Sequence, residues 1–268
     1  MRGKPSMAKV VAIANQKGGV GKTTSCVNLA ASLVASQRRV LLIDLDPQGN
    51  ATTGSGVDKL GLEHSVYDVL VGNCDLAQAM QVSEHGGYQL LPANRDLTAA
   101  EVGLLELPNK EQRLRQALAP VRDNYDFILI DCPPALSMLT INALVAADGV
   151  IIPMQCEYYA LEGLSDLVNS IQRIGALLNP NLRIEGILRT MYDGRIGLTN
   201  EVTAQLRQHF GDALYETTIP RNVRLAEAPS HGMPALVYDK ASRGAKAYLE
   251  LAKELLARQR RAQRVATA

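Results

Sequence analysis

Apolar residues gather along this chain in short, nearly unbroken runs. They are Val10–Ala14, Val40–Asp44 (VLLID), Tyr88–Leu91 (YQLL), Phe127–Asp131 (FILID), Gly149–Pro153 (GVIIP) and Ile184–Arg189 (IEGILR). Several show no polar alternation, which is the pattern of strands covered on both faces. Between them the apolar residues change period. Leu161, Leu164, Leu167, Val168, Ile171, Ile174, Leu177 and Leu178 recur every three or four positions, as do Val202, Leu206 and Phe210. A last helix is expected over Ala247–Ala262, with Tyr248, Leu249, Ala252, Leu255 and Leu256 on its apolar side. Strand–helix units in succession predict an α/β fold: one domain, doubly wound, its mostly parallel sheet covered by helices on both faces. No Pro/Gly/Ser-rich linker divides it and no internal repeat is visible. Ligands of such a sheet bind beyond the carboxyl ends of its strands.

Composition adds a core without aromatic bulk. The 268 residues are 47% hydrophobic, yet only 4% aromatic, with no Trp. Aliphatic packing therefore has to fill the interior. No run of 18 apolar residues suggests a membrane span, and no signal peptide is read at the N-terminus. Residues 1–7 are expected to form a loose tail. Cys26, Cys74, Cys132 and Cys156 form no C-x-x-C pair, and the four histidines show no ligand spacing. Scattered cysteines of this kind fit reduced thiols in a cytoplasmic protein. Residues 243–264 carry seven basic side chains against Glu250 and Glu254, a local excess of +5 beneath an overall charge of +1. Such an end can meet phosphates or acidic lipid, and it can equally be a solvated helix terminus.

The first strand-like run leads into Gln16-Lys17-Gly18-Gly19-Val20-Gly21-Lys22-Thr23-Thr24 and then a helical segment. Strand, glycine-rich turn and helix N-terminus make a phosphate cradle from backbone N–H groups. Lys22 is placed to reach the β/γ-phosphates, and the Thr23 hydroxyl to ligate Mg²⁺. The common pattern would put glycine where Gln16 stands. Two further stretches suit hydrolysis. Phe127–Asp131 is an apolar strand ending in Asp131, followed by Pro133 and Pro134, and this is a Walker B pattern that holds Mg²⁺. Leu42–Asn50 (LIDLDPQGN) ends a strand near Asp44 and turns at Asp46, Pro47 and Gly49. A carboxylate there can bind Mg²⁺ through water or orient the attacking water. Read alone, Asp46 is also an ordinary turn former bonded to its own backbone.

The string KGGVGKT resembles the deviant Walker A motif of the ParA/MinD-type ATPases, whose mark is the second lysine, Lys17. The strings DLDPQGN, QCEYYALEGL, RTMYDGRIGLTNEV and IPRNVRLAEAPSHGMP extend the resemblance over most of the chain. It is nearest the short chromosome-partitioning ParA proteins of the Soj type. The resemblance implies ATP as the nucleotide, cradled by Lys17 through Thr24, with adenine against Thr190-Met191 and Pro220-Arg221-Asn222. It implies that Lys17 crosses a dimer interface to the partner subunit's nucleotide and that Asp46 positions the hydrolytic water. Asp44 is read as a strand-end residue near the metal. Thr23, Asp46 and Asp131 form the expected Mg²⁺ set. Arg195 and Arg224 correspond to the family's surface for nonspecific double-stranded DNA.

The implied function is an ATP-dependent homodimer that rides on the nucleoid and is released by hydrolysis. Turnover is expected to be slow until a ParB-type partner stimulates it, since no arginine finger is evident in cis. The implied division is an ATPase domain over residues 8–257 and a basic tail over 258–268. A related cargo-positioning ATPase, or a MinD-like membrane-binding division regulator, is the alternative. The ending ARQRRAQRVATA lacks the bulky apolar face a membrane helix needs. Missing C-x-x-C and guanine-reading motifs argue against an iron–sulfur carrier and a GTPase, and no helix-turn-helix precedes the phosphate loop.

Overall fold

In a computed structural model the described residues are 8–158 and 160–267, so the expected tail over 1–7 lies outside them. Eight strands form one sheet: β1 (Lys9–Ile13), β2 (Val40–Asp44), β3 (Gln81–Ser83), β4 (Tyr88–Leu91), β5 (Phe127–Asp131), β6 (Gly149–Met154), β7 (Arg183–Tyr192) and β8 (Leu214–Pro220). Their spatial order is β3-β4-β2-β5-β1-β6-β7-β8. All neighbours run parallel except β3, which pairs antiparallel with β4. The expected α/β sheet is present, with two more strands than the hydrophobic runs suggested.

Period-two alternation assigns each strand residue to a face. Val10, Ala12, Leu41, Ile43, Ile128 and Ile130 enter one core, beneath the Met138–Ala146 and Ala160–Leu178 helices. Val11, Ile13, Leu42, Phe127 and Leu129 enter the other, beneath the Lys22–Ala35 and Arg243–Thr267 helices. The last helix buries Tyr248, Leu251, Ala252, Leu255 and Leu256, a continuous i, i+3, i+4 stripe. Leu251 replaces Leu249 on that stripe, because Leu249 lies one step around the helix and is only half-buried. Leu177, counted into the 161–178 stripe, is 81% exposed, because it lies round the helix from the buried face of Leu164, Leu167, Ile171 and Gly175.

The chain leaves β1, crosses over β5's position to reach β2, and later returns to insert β5 between them. Strand order therefore reverses beside β1, and the carboxyl ends of β1, β5 and β2 meet there. Asp131 stands in register with both Ile13 and Asp44. The helix Arg243–Thr267 runs unbroken past residue 257, where the basic tail was expected to start.

Candidate nucleotide site

The loop between β1 and the Lys22–Ala35 helix lies at this switch point. Gly21 occupies the N-cap position with φ 89°, a left-handed conformation that glycine adopts freely, and no side chain caps the helix. The first-turn N–H groups are thus free to meet an anion. The loop's carbonyls are turned away from that cradle and held. The Lys22 Nζ donates to Lys17 O at 3.1 Å, the Gln155 Nε2 to Gly19 O at 3.3 Å, and the Thr190 Oγ1 to Val20 O at 2.8 Å. In a trans peptide the N–H points opposite the C=O, so fixing these oxygens aims the following amides the other way. Asn15 fixes the loop's start, donating to Pro153 O at 2.7 Å and accepting from Lys17 N at 2.9 Å. Thr24 follows Thr23 in the first turn, half-buried.

Three aspartates surround the loop. Asp44 is fully buried, and its oxygens are spent on the chain: Oδ2 accepts from Thr52 N and Thr52 Oγ1 at 2.8 Å each, and Oδ1 from Asp46 N at 3.1 Å. Asp46 is half-buried and accepts from Gln48 N at 2.9 Å through Oδ1, the turn geometry expected of a short acidic side chain. Asp131 is fully buried. Its Oδ1 accepts from the Cys26 thiol at 3.5 Å, and its Oδ2 meets no hydrogen-bond partner among the described residues. Burial, then the neighbouring Asp44 carboxylate, push the Asp131 acid upward from the ordinary carboxylate range. Burial draws Lys22 down against the pull of Asp131. A pair of buried carboxylates with an orphaned oxygen is the environment a hard divalent cation relieves. The residues therefore fit Mg²⁺, which Asp131 and the Thr23 hydroxyl would hold.

Beyond β7 and β8, Thr190, Met191, Pro220 and Asn222 line a cavity of about 170 Å³ with Tyr248 from the last helix. Arg221 lines it as well. The residues expected around adenine are thus brought together. Met191 adopts φ 48°, rare for a side chain of its kind, and its Sδ accepts from the Gln155 Nε2 at 2.7 Å. Tyr248 OH pairs with Ser25 Oγ at 3.0 Å, linking the last helix to the phosphate-loop helix. Gln155, Asn15 and Thr52 were not singled out from the sequence, and Tyr248 was read only as an apolar-side residue of the last helix. Gln155 stands in QCEYYALEGL, but its partners lie 136 and 36 residues away.

Lys17 is exposed at the mouth of the loop, ion-paired with Glu157. Arg195 and Arg224 follow the neighbouring strands β7 and β8, outside the nucleotide site. Each is already paired: Arg195 with Asp193 at 2.6 Å, and Arg224 with Glu227 at 2.7 Å and Asp239 at 3.3 Å.

A family model described as an AAA domain matches residues 8–184. The sporulation initiation inhibitor protein Soj of Bacillus subtilis is 52% identical over 251 residues, covering 94% of this chain and 99% of Soj. The chromosome-partitioning ATPase Soj of Thermus thermophilus is 52% identical over 250 residues, covering 92% of this chain and 95% of that protein. Among solved structures, cobyrinic acid a,c-diamide synthase from Mycobacterium smegmatis with bound ADP and magnesium superposes with TM-score 0.82. It is 39% identical over 93% of this chain and 94% of that one. Phosphate loop, orphaned Asp131 and relatedness agree: the chain is an ATP hydrolase that uses Mg²⁺, and it belongs to the ParA/Soj family of P-loop ATPases.

Proposed function

We propose that this chain is a DNA-partitioning ATPase. ATP closes two copies into a dimer, the dimer binds duplex DNA without regard to sequence, and hydrolysis stimulated by a ParB-type partner releases it. On this reading the protein resides on the nucleoid and moves a chromosome or plasmid.

The observation that carries the reading is the division of labour between two lysines. Lys22 is buried at the base of the loop, 7% exposed, and serves the phosphates of its own subunit. Lys17 is redundant for that task and stands outward, where a second copy can approach. Its ion pair with Glu157 is exposed and so is cheap to break. The partitioning names of the relatives support the same direction.

Mg²⁺, when bound, would neutralise charge on the transferring phosphoryl group. The loop amides and Lys22 would hold the phosphate oxygens, Asp131 and Thr23 would hold the ion, and Asp46 would orient the attacking water. The one arginine placed at the site among the described residues, Arg221, lines the base cavity, so a partner is left to complete the phosphate end.

The test is dimerisation by light scattering with ATP, ADP or no nucleotide, run beside co-sedimentation with duplex DNA and with anionic liposomes. Wild type should dimerise and pellet with DNA in ATP alone. Lys17→Ala should bind ATP as a monomer yet dimerise about tenfold or more weakly, the worth of one charge-assisted hydrogen bond per site. Equal dimerisation of the two proteins would remove the cross-subunit role. Pelleting with liposomes in place of DNA would hand the chain to the membrane-binding alternative.

A further inference from the structure

One amide nitrogen touches both halves of the nucleotide site. Gln155 leaves the end of β6, and its Nε2 donates to the Gly19 carbonyl of the phosphate loop at 3.3 Å and to the Met191 Sδ at 2.7 Å. The NH₂ group has two hydrogens, so both contacts can be made at once. Gly19 sits in the loop at φ 74°, and the Val20 amide that follows it belongs to the cradle. Met191 forms part of the cavity wall beyond β7 and holds its unfavourable φ of 48° there. A strained residue persists only where its surroundings over-determine it. Thr190, one residue earlier, ties the same strand end to Val20 O at 2.8 Å and Met154 O at 3.1 Å. The loop and the cavity are therefore joined through the last residues of β7, and Gln155 is the side chain that reaches across.

We propose that Gln155 is a positioning residue that couples the base cavity to the phosphate loop. With Met191 pushed into place by a bound base, the Gln155 amide is fixed, the Gly19 carbonyl is held at the back, and the Val20 N–H is aimed at phosphate. Filling the cavity and aligning the loop become one event, so a nucleoside triphosphate is favoured over either of its halves by more than their separate contacts supply. The proposal rests on the reading that the Met191 cavity takes the adenine.

The experiment measures three ligands on wild type, Gln155→Leu and Gln155→Glu: MgATP by titration, and inorganic tripolyphosphate and adenosine as competitors of ATP hydrolysis. Leucine removes the amide at similar size, and glutamate keeps the shape but cannot donate. Both variants should weaken ATP by about 2- to 10-fold, the range of a neutral hydrogen bond. Tripolyphosphate and adenosine should each stay within about twofold of wild type, because neither alone uses the coupling. Equal losses for ATP and tripolyphosphate would make Gln155 a loop brace only. Equal losses for ATP and adenosine would make it part of the cavity wall only. Either result overturns the proposal, as does an ATP affinity that does not move. If adenosine fails to compete even with wild type, the cavity is not the base site, and the reading beneath the proposal falls with it.

Discussion

Asp44, Asp46 and Asp131 are three carboxylates with three fates, set by what each is bonded to. Asp44 gives its oxygens to Thr52 and to the Asp46 amide, so it shapes the turn and has little left for chemistry. Asp131 keeps one buried oxygen without a partner among the described residues, and that is the oxygen we propose for the metal. Asp46 spends Oδ1 on Gln48 N, and the turn that Asp44 builds presents the rest of the carboxylate. Asp46→Ala should therefore bind ATP and dimerise, while single-turnover hydrolysis falls about 100-fold or more, as when a positioned base is lost. A wild-type rate would reduce Asp46 to a turn residue. The loop glycines, Lys22, Thr23 and Asp131 were legible in the sequence because their chemistry is written in adjacent residues. Gln155 was not. It acts by holding a carbonyl 136 residues away, and no spacing encodes that partner.

Edge strands and the last helix show the same limit at the scale of elements. The six strands read from apolar runs lie inside the sheet or are well covered, where hydrophobicity is the signal. β3 is three residues long with two of them exposed, and β8, on the opposite edge, interrupts its apolar residues with Glu216, Thr217 and Thr218. Their outer backbone groups need other partners. For β8 the last helix supplies them. Glu254 accepts from Glu216 N at 3.0 Å, Thr217 N at 2.9 Å and Thr217 Oγ1 at 2.8 Å. Arg258 donates to Asp212 O and Leu214 O at 2.8 Å each and lies 4.1 Å above the Tyr215 ring centre. Charge patterning read this region as a basic end, but Arg258 is spent on the fold, while Arg260 and Arg261 stand exposed beyond it. Glu254→Ala should cost about 2 kcal/mol, since it strands three donors of one edge. In a chain of this size that lowers the thermal midpoint by roughly 4–8 °C. Glu254→Gln, which can still accept, should lose less. A midpoint unchanged by the alanine variant would mean that water serves the edge as well as the carboxylate does.

Across the whole molecule, the sheet separates two functions by strand. On the proposed reading the ends of β1, β2 and β5 carry the phosphate chemistry and β7 and β8 the base cavity; Arg195 stands in the turn after β7 and Arg224 in the short helix Val223–Glu227 after β8. A dimer would set four such arginines toward DNA. Each phosphate neutralised on duplex DNA contributes a log–log salt slope of about −0.9, so four engaged arginines give roughly −3.6. The structure adds a condition to that estimate, because each arginine already has a carboxylate. The Arg195 guanidinium, hydrogen-bonded to Asp193, holds that acid down to about 2, so mild acidification does not release the arginine. DNA phosphate must displace Asp193 at one site and Glu227 and Asp239 at the other. Asp193→Asn should therefore tighten the ATP dimer on every DNA sequence alike. The pair is fully exposed and screened by water, so the gain is expected to be small, about a few-fold. Arg195→Glu and Arg224→Glu should do the reverse and flatten the salt slope, leaving ATP-dependent dimerisation intact. Fluorescence anisotropy on two unrelated duplexes across a salt series reads all of this. If Asp193→Asn does not tighten binding and the double charge reversal does not weaken it, the surface lies elsewhere, and the exposed arginines at 260, 261 and 264 are the place to cut next.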